Sequence, residues 1–252
     1  MSSDPNARSA SVALSGDDEG RGSCVLFLHG LASDRSTFAG QARWLRESRR
    51  CVRVDLRGHG ASPVPPGPWR IADFADDLAA LLDRLAIDRA HVVGHSAGGV
   101  FATALALAHP ARVAGLFLVG TSAELKPEIA ERSYLRWART AEEQGLLPAL
   151  EEMRLDATGR TESPDAARGF ALACRAIAAM AEEPLAPRLG EITCPTTYLV
   201  GERDPFGVGG SVKACRAVPG AELVILPGAG HVPFREVQDA FDTELRRFLG
   251  AS

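Results

Sequence analysis

The chain has 252 residues, 46% hydrophobic and 24% charged, enough for one large core with an inserted lobe. Its formal net charge of −4 offers no basic surface to nucleic acid or to an anionic membrane. Residues 1–20 contain no apolar h-region and no later run is long enough to span a bilayer, so a cytoplasmic protein is expected, without nucleic-acid or membrane partners.

Residues 1 to about 9 are polar and expected to be loosely attached. A weak strand is expected at 11–14, then a continuous apolar strand at Cys24–Leu28. A helix follows over 38–47 and a strand over 50–54, ending at Asp55. Ile71, Phe74, Ala75, Leu78, Leu81, Leu82 and Leu85 recur at three- and four-residue spacing, which predicts an amphipathic helix. A β-branched strand at 91–93 leads into a helix over 97–108 that stops near Pro110. Further strands are expected at 113–119, 196–200 and 223–226, and Val237, Phe241, Leu245, Phe248 and Leu249 mark a last helix. Short strands that are apolar throughout are buried on both faces, which predicts an α/β fold with a mostly parallel sheet covered by helices.

Between 121 and 190 the alternation breaks. No convincing strand is present, and the pattern reads as helices over 127–144, 146–157 and 164–181. An all-helical insertion between two strands of a parallel sheet is expected to cap the strands' C-terminal ends, where sites of open α/β sheets lie. The expected division is a core of residues 1–121 and 191–252 with a helical cap over 122–190. Trp137, Met153, Phe170 and Met180 give that cap its apolar and aromatic character and are its candidate substrate-binding residues.

The chemistry centres on Gly94-His95-Ser96-Ala97-Gly98, between the 91–93 strand and the following helix. A bare Gly/Ser connection would need no chemistry. A sharp strand-to-helix turn, however, forces the serine into a strained backbone and lifts its hydroxyl above the sheet. The N–H of Ala97 and the positive end of the helix then face any oxyanion formed there. A serine needs a base, and the base an orienting carboxylate. His231 follows the 223–226 strand through Pro227-Gly228-Ala229-Gly230, and Asp204 follows the 196–200 strand, with Glu202 its only close rival. In a parallel sheet Ser96, Asp204 and His231 all project from one edge. His29-Gly30-Leu31 ends the Cys24–Leu28 strand at that same edge, so the N–H of Leu31 is the second candidate oxyanion donor.

These segments, with Asp55-Leu56-Arg57-Gly58-His59-Gly60 and Gly201-Glu202-Arg203-Asp204-Pro205, resemble the α/β-hydrolase superfamily, in the small group with a helical cap after the sixth strand. The resemblance runs from residue 24 to 231 and implies a Ser-His-Asp hydrolase. An aspartate at position 96 would resemble haloalkane dehalogenases or epoxide hydrolases, and Trp or Met at position 97 would resemble iminopeptidases or perhydrolases. With Ser96 and Ala97 present, the chain is most similar to esterases and enol-lactonases of the 3-oxoadipate type. The implied activity is cleavage of a small or medium carboxylic ester or lactone through an acyl-enzyme, without a cofactor. A C–C bond hydrolase on the same triad, or a slow-turnover ligand receptor, remain the alternatives.

The remaining motifs have structural readings. His91 and His95 are four apart, but on a strand and its turn, so no metal site is expected. His59 is expected to shape a loop, His29 to shape the oxyanion loop, and His109 to be exposed. The pairs Asp76-Asp77, Glu142-Glu143, Glu151-Glu152 and Glu182-Glu183 are expected on solvated helix faces. The five cysteines are scattered without a Cys-x-x-Cys pair and are expected to be reduced core residues.

Overall fold

The computed structural model describes residues 10–154, 164–206 and 208–250. The segment expected to be loose, 1–9, and the end of the helix expected to reach 157 lie outside them. The strands are β1 (Gly16–Glu19), β2 (Cys24–Leu28), β3 (Arg50–Val54), β4 (Ala90–His95), β5 (Val113–Val119), β6 (Thr196–Gly201) and β7 (Glu222–Leu226). They form one seven-stranded sheet in the order β1-β3-β2-β4-β5-β6-β7, parallel except for β1, which pairs antiparallel with β3. The chain moves outward from β2 to β3, then returns to place β4 on the other side of β2. That reversal opens a crevice at the C-terminal ends of β2 and β4.

Alternating residues of the central strands feed two apolar layers. On one face Leu26, Leu28, Val52 and Val92 pack with Phe74, Leu78 and Leu82 of α2 (Ile71–Arg84) and with Phe101 and Leu105 of α3 (Ala97–Ala108). The rings of Phe74 and Phe101 stack with centroids 3.8 Å apart. On the other face Val25, Phe27, Val93 and Phe117 meet Ala42 and Leu45 of α1 (Ala39–Leu45) and, near the C-terminus, Phe241 and Leu245. Helices on both faces are what strands without a polar side require. All five cysteines are buried and unpaired as disulfides.

Three differences from the sequence reading have physical causes. Residues 11–14 are not a strand. Leu14 is buried in the core, and the edge strand is the Gly-Asp-Asp-Glu of β1. Nothing apolar marks that strand. Its carboxylates answer the arginines of β3, with Arg53–Asp17 at 3.1 Å, Arg53–Glu19 at 2.7 Å and Arg50–Asp18 at 2.7 Å. At the opposite edge β7 has one covered face only, so Leu223 and Ile225 are exposed where a doubly buried strand was expected. Asp77 is not on a solvated face. It is buried against Arg57, whose Nε and Nη2 donate to its two oxygens at 2.6 and 2.8 Å, while the Val12 amide donates at 2.7 Å. Burial pushes the Asp77 carboxyl up from its ordinary value, opposed by the Arg57 hydrogen bond.

The helical insertion follows β5. Among the described residues one strand precedes β2, so it comes after the fifth strand of this sheet, one earlier than the resemblance counts. Residues 127–144 form one continuous helical run made of α4 (Pro127–Ile129), a π-helical turn (Ala130–Leu135) and α5 (Arg136–Gln144). Then come α6 (Leu146–Glu152) and α7 (Pro164–Ala178). Trp137, Ala138, Leu150, Phe170 and Cys174 form a cluster of their own that reaches the core at Leu31 and Ala32. The C-terminal half of α7 joins the main core through Ala173 and Ile177. Between β6 and β7 lies α8 (Val208–Ala217), the crossover two parallel strands need; a sequence of Gly, Ser and Lys gave it no periodic signal. The short α9 (Pro233–Glu236) and α10 (Gln238–Leu249) complete the fold. No helix among the described residues is long and apolar enough to cross a membrane.

Candidate active site

The turn between β4 and α3 carries Ser96 at φ 53° and ψ −118°, a conformation L-residues rarely adopt. Its flanks must be glycine. A Cβ on Gly94 would lie 2.6 Å from the Gly98 carbonyl oxygen, and one on Gly98 would collide with the Leu28 carbonyl oxygen. The Ser96 amide donates to the Val119 carbonyl at 2.8 Å, which fixes the turn over the end of β5. The next residue, Gly120, faces Asp204 and His231; a Cβ there would stand 3.0 Å from Asp204 Oδ2 and 3.1 Å from His231 Nδ1. The loops after β4, β6 and β7 therefore converge.

Asp204 and His231 are paired. His231 Nδ1 and Asp204 Oδ2 are 2.9 Å apart, and the carboxylate is almost wholly buried. Asp204 Oδ1 accepts from the Phe206 amide at 2.9 Å. Glu202, the rival acid, is engaged elsewhere, accepting from the Gly228 amide at 2.9 Å and so bracing the His231 loop from below. This division of labour fixes the imidazole: with Nδ1–H donated to Asp204, Nε2 is left as the basic nitrogen.

Two further residues hold His231, and the sequence reading assigned neither to it. His95 Nε2–H donates to the His231 carbonyl at 2.9 Å, and its ring lies 4.7 Å from the His231 ring and 5.0 Å from Phe234. Burial holds the His95 imidazole down to about 3, with the neighbouring His231 charge adding to the effect, so His95 is neutral. Glu236 accepts from the amides on either side of His231, those of Gly230 and Val232. Their signals were faint: an acid five residues beyond His231, and a histidine already inside the serine motif.

The amides of Leu31 and Ala97 have no hydrogen-bond acceptor among the described residues. Ala97 begins α3, where N–H groups are unpaired by helix geometry. The loop bearing Leu31 rests on the same turn, since a Cβ on Gly30 would be 3.0 Å from His95 Nδ1 and 3.3 Å from Ser96 Cβ. His29 shapes that loop: its Nε2 accepts from the Leu56 amide at 3.0 Å, so Nδ1–H donates to the Gly30 carbonyl at 2.7 Å.

A cavity of about 500 Å³ opens between the loops after β2 and β3 and the helical insertion. Ala32, Ser33 and Asp34 line it from the loop after β2, residues 58–64 from the loop after β3, and Leu146, Asp165, Ala166 and Phe170 from the insertion. Ser96 and His231 are not in its wall; the loop after β2 lines it at Ala32, one residue beyond Leu31. Of the four apolar residues expected to bind substrate, Phe170 lines this cavity. Trp137 is buried in the same cluster as Phe170, with Met153 half-buried against that cluster, and Met180, just after α7, lies in the main core. His59, expected to shape a loop, also lines the cavity. His109 is half-buried and meets Asp76 at 3.3 Å instead of standing free.

The profile of the alpha/beta hydrolase family matches residues 25–243. The chain belongs to that family. Among its relatives, 3-oxoadipate enol-lactonase 2 of Acinetobacter baylyi is 30% identical over 234 residues, covering 86% of this chain and 85% of the relative. A thermophilic esterase from Thermogutta terrifontis superposes with a TM-score of 0.84 at 31% identity, over 94% of this chain and 93% of the other. The enol-lactonase of Burkholderia xenovorans superposes with a TM-score of 0.82 at 28% identity, over 95% and 97%. This alpha/beta hydrolase is thus an enzyme of the esterase and enol-lactonase neighbourhood, as its motifs led one to expect.

Proposed function

We propose that this hydrolase cleaves a small or medium carboxylic ester or lactone through an acyl-enzyme on Ser96. The observation that carries the reading is the Asp204–His231 pair, held at 2.9 Å beside a serine kept at φ 53°. His231 Nε2 takes the Ser96 proton as Oγ attacks the carbonyl carbon, then gives it to the departing alcohol oxygen. Asp204 orients the imidazole and stabilises its cation. The unpaired amides of Leu31 and Ala97 receive the oxyanion; removing one such donor typically costs about 10²- to 10³-fold in rate. Water then attacks the acyl-enzyme with His231 again as base. Residues 122–190 act as the cap over this centre and Phe170 as one wall of the substrate cavity. The relatives named for enol-lactone and ester cleavage support this class of substrate.

A fluorophosphonate probe tests the assignment. It is expected to label the wild-type enzyme at Ser96 alone, and Ser96→Ala is expected to abolish both labelling and ester turnover while leaving the thermal transition in place. Labelling of the Ala variant at comparable speed would move the nucleophile elsewhere. An activity screen over p-nitrophenyl esters, lactones and vinylogous diketones separates ester, lactone and C–C cleavage.

A further inference from the structure

Phe206 is the most exposed of the large apolar side chains among the described residues, at 54%. It is not on a loose surface. Its amide is tied to Asp204 Oδ1 at 2.9 Å, while the other oxygen of that carboxylate holds His231. Its ring lies 4.5 Å from the imidazole of His231, inclined at 53°. The imidazole is therefore flanked by two rings of different kind. His95 is buried, polar and hydrogen-bonded to the His231 main chain; Phe206 is apolar and open to solvent. A buried phenylalanine in this place would be packing. An exposed one, against the ring of the proposed base, leaves free apolar area beside the imidazole that would move the proton.

Chemistry decides which part of a substrate reaches that area. In acylation the Ser96 Oγ–carbon bond forms, the carbon–oxygen bond to the alcohol breaks, and the proton from Ser96 passes through His231 Nε2 to the departing oxygen. That oxygen must come within hydrogen-bond reach of the imidazole, so the carbon skeleton attached to it lies within a few bonds of the Phe206 ring. The carbonyl oxygen, by contrast, is drawn to the amides of Leu31 and Ala97. After acylation the alcohol is gone and water stands in its place.

We propose that Phe206 is the leaving-group recognition residue of this enzyme, favouring esters whose alcohol portion is aryl or arylalkyl over those of small alcohols. This rests on the acyl-enzyme reading above. Part of the selectivity then belongs to the loop after β6 and is separate from the helical insertion. Offset or edge-to-face packing of an aromatic alcohol on the Phe206 ring is the favoured contact.

The test uses acetate esters, which share one acyl-enzyme and differ only in the alcohol. For such a series kcat/KM reports the steps through loss of the alcohol. In Phe206→Ala the kcat/KM for benzyl acetate is expected to fall about 10- to 200-fold more than that for methyl acetate, the range of apolar contacts. Phe206→Leu is expected to keep part of the preference and Phe206→Tyr most of it. A fall by the same factor for both esters would make Phe206 a support for Asp204 and His231 and overturn the proposal, as would kcat/KM values unchanged for both. Fluorophosphonate labelling of wild type and each variant at Ser96 is run alongside. If wild type is not labelled there, the acyl-enzyme reading itself has failed; if it is labelled and the ratio does not move, only the role of Phe206 has.

Discussion

His95 Nε2 donates to the main-chain carbonyl of His231 at 2.9 Å, joining the residue before the serine to the residue that bears the imidazole. The same side chain lies under Gly30, where a Cβ would come within 3.0 Å of its Nδ1. One buried ring thus touches the serine turn, the loop after β2 at Gly30 and the histidine loop. On the proposed mechanism its part is to position His231, not to touch the substrate.

His95→Phe keeps a flat aromatic ring, a somewhat larger one, and deletes the donor. It leaves the His231 carbonyl without its partner and frees the loop to shift. A displacement on the order of 1 Å at a reacting group costs about 10²-fold. A fall in kcat of roughly 10- to 100-fold with little change in KM is expected, and His95→Gln, which restores an N–H near the Nε2 position, should recover part of it. Steady-state kinetics on all three proteins decide the matter; equal losses in both variants would mean that volume, and not the hydrogen bond, is what counts.

The two acids of the loop after β6 make different bonds. Asp204 holds His231, and Glu202 holds Gly228. Asp204→Asn removes the charge that stabilises the imidazolium and can present an N–H to Nδ1, so the wrong tautomer results; the loss expected in kcat is on the order of 10⁴-fold. Glu202→Gln keeps an acceptor for the Gly228 amide and should cost far less. The reverse ranking would transfer the orienting role to Glu202.

Two phenotypes should separate within the insertion. Phe170 lines the cavity, so Phe170→Ala should change the turnover ratio between short and bulky acyl esters by about 10- to 200-fold. Met180 lies in the main core, so Met180→Ala should lower stability by about 2–5 kcal/mol without altering that ratio. Denaturant unfolding and a p-nitrophenyl ester series, measured on both variants, check the pair.

Acid should weaken this enzyme partly through His95. In the unfolded chain a histidine takes its proton near pH 6.5, whereas burial keeps His95 neutral until about pH 3. Between those values the unfolded chain binds more protons, so stability is full above about pH 6.5 and falls as pH drops towards 3. The melting temperature of wild type should therefore drop more steeply from pH 6.5 to 4.5 than that of His95→Phe. Parallel slopes would show that His95 does not titrate on unfolding in this window.

Much of the molecule could be read one segment at a time. Strands β2, β3 and β5 came out with their observed ends because each is a short apolar run whose burial shows in its own residues. The serine turn was legible because its demand for glycine is local: the neighbours that a Cβ at Gly94 would strike are Gly98 and Gly99 themselves. The order of Ser96, Asp204 and His231 was legible because a parallel sheet sends every strand's C-terminal end to one edge, so three positions in sequence become neighbours in space.

What only the tertiary structure decided depends on partners distant in the chain. β1 is a strand because arginines of β3 meet its carboxylates, and Asp77 is buried because Arg57 arrives from another loop. Of four similar apolar residues in the insertion, the packing of α7 and of the turn that follows it sends Phe170 to a cavity wall and Met180 to the core. His95 reaches its acceptor across 136 residues, and Phe206 becomes a neighbour of His231 only when β6 and β7 pair. The sequence by itself determined which backbone conformations and which burial periodicities were available, since both are set within a few residues. The identity of each side chain's partner was left to the fold, because hydrogen bonds and ring contacts require a proximity that no local pattern encodes.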